Sequence, residues 1–149
     1  MSNLKVQGNA SGSGTTTLQS PNTSVSATIT LPDSTSADTL GYFNAPINSQ
    51  SAAYTAVAAD AGKIIFHPST DANARTFTIP ANGSVAYDTG TVLTFINMTS
   101  QVVTIAITTD TMYLAGTGTT GSRSLAQYGI ATAVKMTSTT WLISGTGLT

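Results

Sequence analysis

His67 is the only histidine in this chain. A nucleophilic triad needs a base beside a hydroxyl, and a sequence so rich in serine and threonine meets that condition trivially. Followed by Pro68, His67 reads instead as the end of a strand. Three copies on a threefold axis could gather three imidazoles around a metal, but no His-x-His pair supports such a site. The acids number six and all are Asp, with no Glu. A carboxylate pair is what glycoside cleavage requires. Yet Asp33, Asp60, Asp71, Asp88 and Asp110 all sit at strand ends or in turn contexts, where Asp bonds to its own backbone. None has calcium-loop spacing. Gly116 to Gly121, GTGTTG, has the glycines of a phosphate loop but no GK[ST], and it opens no helix. Asn9, Asn22, Asn82 and Asn97 each head an N-x-S/T sequon, as chance allows in such a composition. Tyr42, Phe43, Tyr54, Tyr87, Tyr113 and Tyr128 suit a sugar-binding face, a sandwich core or a subunit interface. The expectation is a chain that is not an enzyme and holds no cofactor or metal.

Composition narrows the class. Charged residues are 7% of 149 and the net charge is −1. Typical soluble domains carry about 25% charge. No Lys/Arg cluster is present to neutralise phosphates, so no nucleic-acid partner is expected. No run of 18 apolar residues spans a membrane, and MSNLKVQGNA lacks the apolar core of a signal peptide. Cysteine is absent, which removes disulfide, thiolate and zinc–thiolate chemistry. Missing Glu and scarce Lys and Arg take away the usual surface of helices, while Thr and Val favour strands. A surface this poor in charge depends on hydroxyls for solubility and loses little when buried against a copy of itself.

The elements that must position these residues are strands. Thr91 to Thr108 is the densest β-branched and aromatic run, broken at Thr99-Ser100. It predicts a β-hairpin with a loop near Asn97 to Gln101, since no Asn-Gly or Asp-Gly marks a tight turn. Around it, strands are expected at 54–58, 63–66, 76–79, 85–87, 111–114, 124–127, 130–136 and 140–144. Turn signals recur every ~8–12 residues, which indicates a sandwich or barrel. Leu93, Phe95, Val103, Ile105, Val134 and Trp141 are the expected core. Residues 51–61 are the one alanine-rich helix candidate, and the Asp60-Ala61-Gly62 turn weakens it. The predicted fold is all-β: an antiparallel β-sandwich or barrel, jelly-roll-like, over residues 50–149. An extended N-terminal β-arm and joint precede it over residues 1–49. In the arm, Val25, Ala27, Ile29 and Leu31 alternate with polar residues. The arm has too few apolar groups to offset its ordering entropy, at ~1–2 kcal/mol per residue, so it must dock on something.

The wording GNASGSGTTTLQSPNTSVSATITLPDSTSADTL resembles segments of tailed-bacteriophage fibre and virion proteins. The stretch SQSAAYTAVAADAGKIIFHPSTDANARTFTIPANGSVAYDTGTVLTFIN, through to TWLISGTG, is similar to the β-rich domain that follows in them. The resemblance implies a non-enzymatic virion protein, usually a homotrimer, and it carries over no catalytic residue. With no long shaft and no coiled coil, a small capsid decoration (cement) protein is expected. It would bind the major capsid protein on the outer surface of the virion. A short head- or tail-fibre tip that binds a host receptor or carbohydrate is the alternative. Val25, Ile29, Leu31, Tyr42 and Phe43 are the residues expected at the trimer or capsid interface.

Overall fold

The computed structural model describes residues 44–149. The strands are β1 (Ile47–Ser49), β2 (Tyr54–Thr55), β3 (Ile64–His67), β4 (Arg75–Ile79), β5 (Val92–Asn97), β6 (Val103–Ile107), β7 (Thr111–Leu114), β8 (Arg123–Thr137) and β9 (Thr140–Leu148). The alanine-rich stretch yields one 3₁₀ turn, Ala58–Asp60. Residues 85–87 are not a strand, although Tyr87 is buried there. Ile47–Ser49, placed by the sequence in the joint before residue 50, is already the first strand.

All nine strands form one curled sheet, left open because its two ends, β1 and β2, do not pair with each other. Most ladders are parallel rather than antiparallel. β1 runs parallel to β3 and β3 to β5, while β2 runs parallel to β4 and β4 to β6. Each pair of successive strands, β1–β2, β3–β4 and β5–β6, therefore acts as one rung bent at a corner. The long strand β8 is the last rung. Its residues 129–134 pair antiparallel with β5, and its residues 123–125 with β6. β9 returns along the other edge of β8, and β7 pairs parallel with β9.

The expected hairpin is thus corrected. Both strands form where the β-branched runs lie, but β5 and β6 pair with successive halves of β8 and not with each other. The residue at the corner explains why. The Asn97 side chain donates to Gln101 O at 2.8 Å and Leu125 O at 3.0 Å, and its Oδ1 accepts from Thr99 N at 3.0 Å. A side chain that satisfies three backbone groups supplies what a hairpin turn would otherwise supply.

The concave side of the sheet holds the core. Ile65, Phe77, Ile79, Leu93, Phe95, Val103, Ile105, Met112, Leu125, Ala131, Ala133, Trp141 and Ile143 belong to one buried cluster. Burial of each large apolar side chain contributes about 1.5–3 kcal/mol. Five of the six expected core residues are in it, and Val134 is the exception. β8 alternates as expected but turns the other face inward, with Ala131, Ala133 and Lys135 buried and Ile130 and Met136 exposed. Volume decides this. Phe95 stands opposite Ala131 and Leu93 opposite Ala133, so large side chains of β5 need small neighbours on β8. β8 and β9 also approach closely at Gly145, where a Cβ would lie 2.1 Å from Ile130 O. Only glycine fits there.

Candidate functional site

The polar groups inside the sheet gather at the corners of the rungs. His67 ends β3 and lies in register with Asn97 on β5. It is fully buried, with Nε2 3.0 Å from Asp71 Oδ2 and its ring edge-on to Phe77. Asp71 sits in the loop after Pro68. It accepts from Arg75 Nε at 2.7 Å and Nη2 at 3.1 Å, and from the Asn73 amide. The Arg75 guanidinium, then Asn73, then His67 hold the Asp71 carboxyl well below the usual carboxylate range, against the opposing effect of burial. Arg75 is raised in turn, chiefly by its bond to Asp71. The grouping resembles the base and orienting acid of a nucleophilic site. It has no nucleophile, because Nδ1 is buried and meets no hydrogen-bond partner.

Asp60 makes a second corner. Its carboxylate accepts from Asn48 Nδ2 at 2.9 Å, Tyr54 OH at 2.7 Å and Val57 N at 2.9 Å. Burial, and then this carboxylate, push the Tyr54 phenol up. Burial, then Asp60 and Tyr54, raise Tyr87 further, and its hydroxyl donates to Val57 O at 2.7 Å. Both carboxylates are spent on bonds to neighbouring side chains and backbone. Asp60 accepts a backbone N–H as the turn reading expected, whereas the bonds of Asp71 all come from side chains. Among the described residues no group of three His, Cys, Asp or Glu side chains could hold a metal ion. No helix among them is long and apolar enough to cross a membrane.

The third polar group lies where β7, β8 and β9 begin or end. Lys135 is fully buried, a burial that alternation with Ala131 and Ala133 did not foreshadow. Its Nζ donates to Asn82 Oδ1 at 2.8 Å and lies 5.2 Å from the centre of the Trp141 ring. Asn82 N in turn donates to Asp110 Oδ1 at 3.2 Å.

The convex side of the sheet is of different character. Val92, Val134, Leu142 and Tyr113 stand side by side across β5, β8, β9 and β7. Thr94, Thr132 and Ser144 form the next row, and Ile96 and Ile130 the one after, continued by Phe66 on β3. Ile130 is 45% exposed, Met136 49% and Leu142 39%. These rows carry no charged side chain. Among the aromatics, Tyr113 joins this face, and Tyr54 and Tyr87 line the Asp60 corner; Tyr128 is exposed where β8 kinks, at a φ of 60° and a shift in its register with β9. The expected interface residues Val25, Ile29, Leu31, Tyr42 and Phe43 lie outside the described residues. The signal that could have found the convex face is the alternation of Ile130, Val134 and Met136 along β8, of which Val134 was expected in the core. Compared with family models, with curated proteins and with solved structures, the chain matches none of them.

Proposed function

We propose that this chain is a non-enzymatic structural protein of a bacteriophage particle. In this reading it is a homotrimer that decorates the capsid, binds the major capsid protein and stabilises the shell from outside. The observation that carries the reading is the uncharged, apolar convex face of β5, β8, β9 and β7. Exposed apolar surface marks association, and rows of valine, isoleucine and leucine interleaved with hydroxyls suit packing around a threefold axis, where each copy meets the other two. With only 7% charged residues in the chain, such a contact strands few ions away from water. The wording shared with phage virion proteins supports the particle, and the trimer that such proteins form supports the copy number.

The test is light scattering on the purified chain and on Val134→Asp, with circular dichroism to confirm that both fold. The wild type is expected to be a trimer and the variant a monomer with an unchanged strand spectrum. A wild-type monomer, or a trimer that survives the aspartate, would overturn the reading of this face. Sedimentation with undecorated capsids then tests the partner: the trimer should co-sediment and Val134→Asp should not.

A further inference from the structure

We propose that Lys135 and Asn82 become joined by an intramolecular isopeptide bond, formed by the protein itself with Asp110 as proton carrier. The two residues are 53 apart in sequence, yet Nζ lies 2.8 Å from Asn82 Oδ1. With a C=O bond of ~1.23 Å, the amide carbon Cγ is within about 4 Å of the amine. That approaches the ~3–3.5 Å of a near-attack pair. The amine is sealed off from water: Lys135 is 1% exposed and stacked on Trp141, itself fully buried. A buried lysine with a single amide partner is an expensive arrangement for an ion, and a productive one for a nucleophile. Lys135 and Trp141 are register partners on β8 and β9, and Trp141 is the register partner of Met112, two residues beyond Asp110.

The third component is the carboxyl. Asp110 is 7% exposed, its Oδ1 accepts from the backbone N–H of Asn82 at 3.2 Å, and its buried Oδ2 has no partner. It is therefore fixed to the very residue that would be attacked, with one oxygen unspent. A general acid–base acts directly or through one water. Asp110 takes a proton from the Nζ ammonium. The free amine adds to Cγ of Asn82, forming the Nζ–Cγ bond. Asp110 then passes protons from Nζ to Nδ2, the Cγ–Nδ2 bond breaks, and Nδ2 leaves as ammonium. Of the three ammonium protons of Lys135, one stays on the new amide and two depart with Nδ2. No oxidant or cofactor is needed. The product ties the loop before β5 to the last rung in a chain that has no cysteine to do so.

Mass spectrometry of the full chain tests this. The intact mass should be lower than the sequence mass by one ammonia. Because Asn82 precedes Gly83, cyclisation onto the Gly83 nitrogen would lose the same mass, so the peptide map decides. Trypsin should leave a branched product joining Thr76–Arg123 to Ser124–Thr149, uncut after Lys135. Lys135→Arg keeps the cation over Trp141, and Asp110→Asn keeps the side-chain shape. Both should show the full mass, and both should melt at a lower temperature than the wild type. Full mass and linear peptides in the wild type would overturn the proposal. So would a wild-type map in which the ammonia loss sits on linear peptides at Asn82-Gly83, or a branched peptide that persists in Asp110→Asn.

Discussion

Asp71 does its work through the ionised form. Arg75, Asn73 and His67 all bond to the carboxylate, so its proton is held less tightly in the folded chain than in the unfolded one. Where the unfolded chain binds more protons, stability rises with pH. The contribution is therefore complete above the ordinary carboxylate value of about 4 and drains away as pH falls below it. In denaturant titrations at a series of pH values, the wild type should lose stability steadily as pH drops from about 4. Asp71→Asn should show a flatter curve over the same span. Parallel curves would mean that the Arg75 contact has no part in folding. This residue was legible only by class. An Asp in a loop after proline announces a turn, but the approach of His67, Asn73 and Arg75 to it depends on the corner between β3 and β4, which no local pattern encodes.

At the scale of the element, β5 and β6 were legible and their pairing was not. Both runs have the same β-branched density, and period-2 alternation describes a strand's faces without naming its partner. The buried sets Leu93, Phe95 and Val103, Ile105 followed from alternation alone. What turned a hairpin into a bent rung was a polar residue, Asn97, whose three side-chain bonds span β5, the loop and β8. The two kinds of residue predict different losses. Ile105→Ala should cost ~2–5 kcal/mol by leaving a cavity in the core. Asn97→Ala strands buried backbone groups, each worth about 1–3 kcal/mol. It should also expose the Thr99 amide, which Asn97 Oδ1 accepts from, to hydrogen exchange ahead of the core strands. Equal protection of that amide in variant and wild type would show that the corner does not rest on Asn97. β8 gives the converse lesson. Val134 was expected inside, whereas the small residues Ala131 and Ala133 stand opposite Phe95 and Leu93, and Val134 turns to the other face.

For the whole molecule, the described residues 44–149 hold one buried apolar cluster that runs from Ala56 to Ile143. A truncated chain of residues 44–149 should therefore keep a strand-dominated circular-dichroism spectrum and melt cooperatively. A truncated chain with a coil spectrum would show that its core is insufficient. Fold class was legible here because composition reports it, through abundant threonine and valine and the absence of Glu. Topology was not, since parallel ladders join strands distant in sequence and leave no local signature. The kinked last rung has one more consequence, which concerns size. Each bent rung pairs only with the rung before and the rung after it, so the stack obeys the arithmetic of a repeat protein. Its antiparallel terminus, β8 with β9 behind it, breaks the parallel order of the rungs, and that side ends on the four-residue edge strand β7. The other side ends in two strands of only three and two residues, too short to template a neighbour. A descendant of this chain could therefore grow taller by duplicating an internal rung such as β3–β4, leaving the antiparallel terminus and the convex rows of β8 and β9 untouched. Height and attachment surface are separable traits in this architecture.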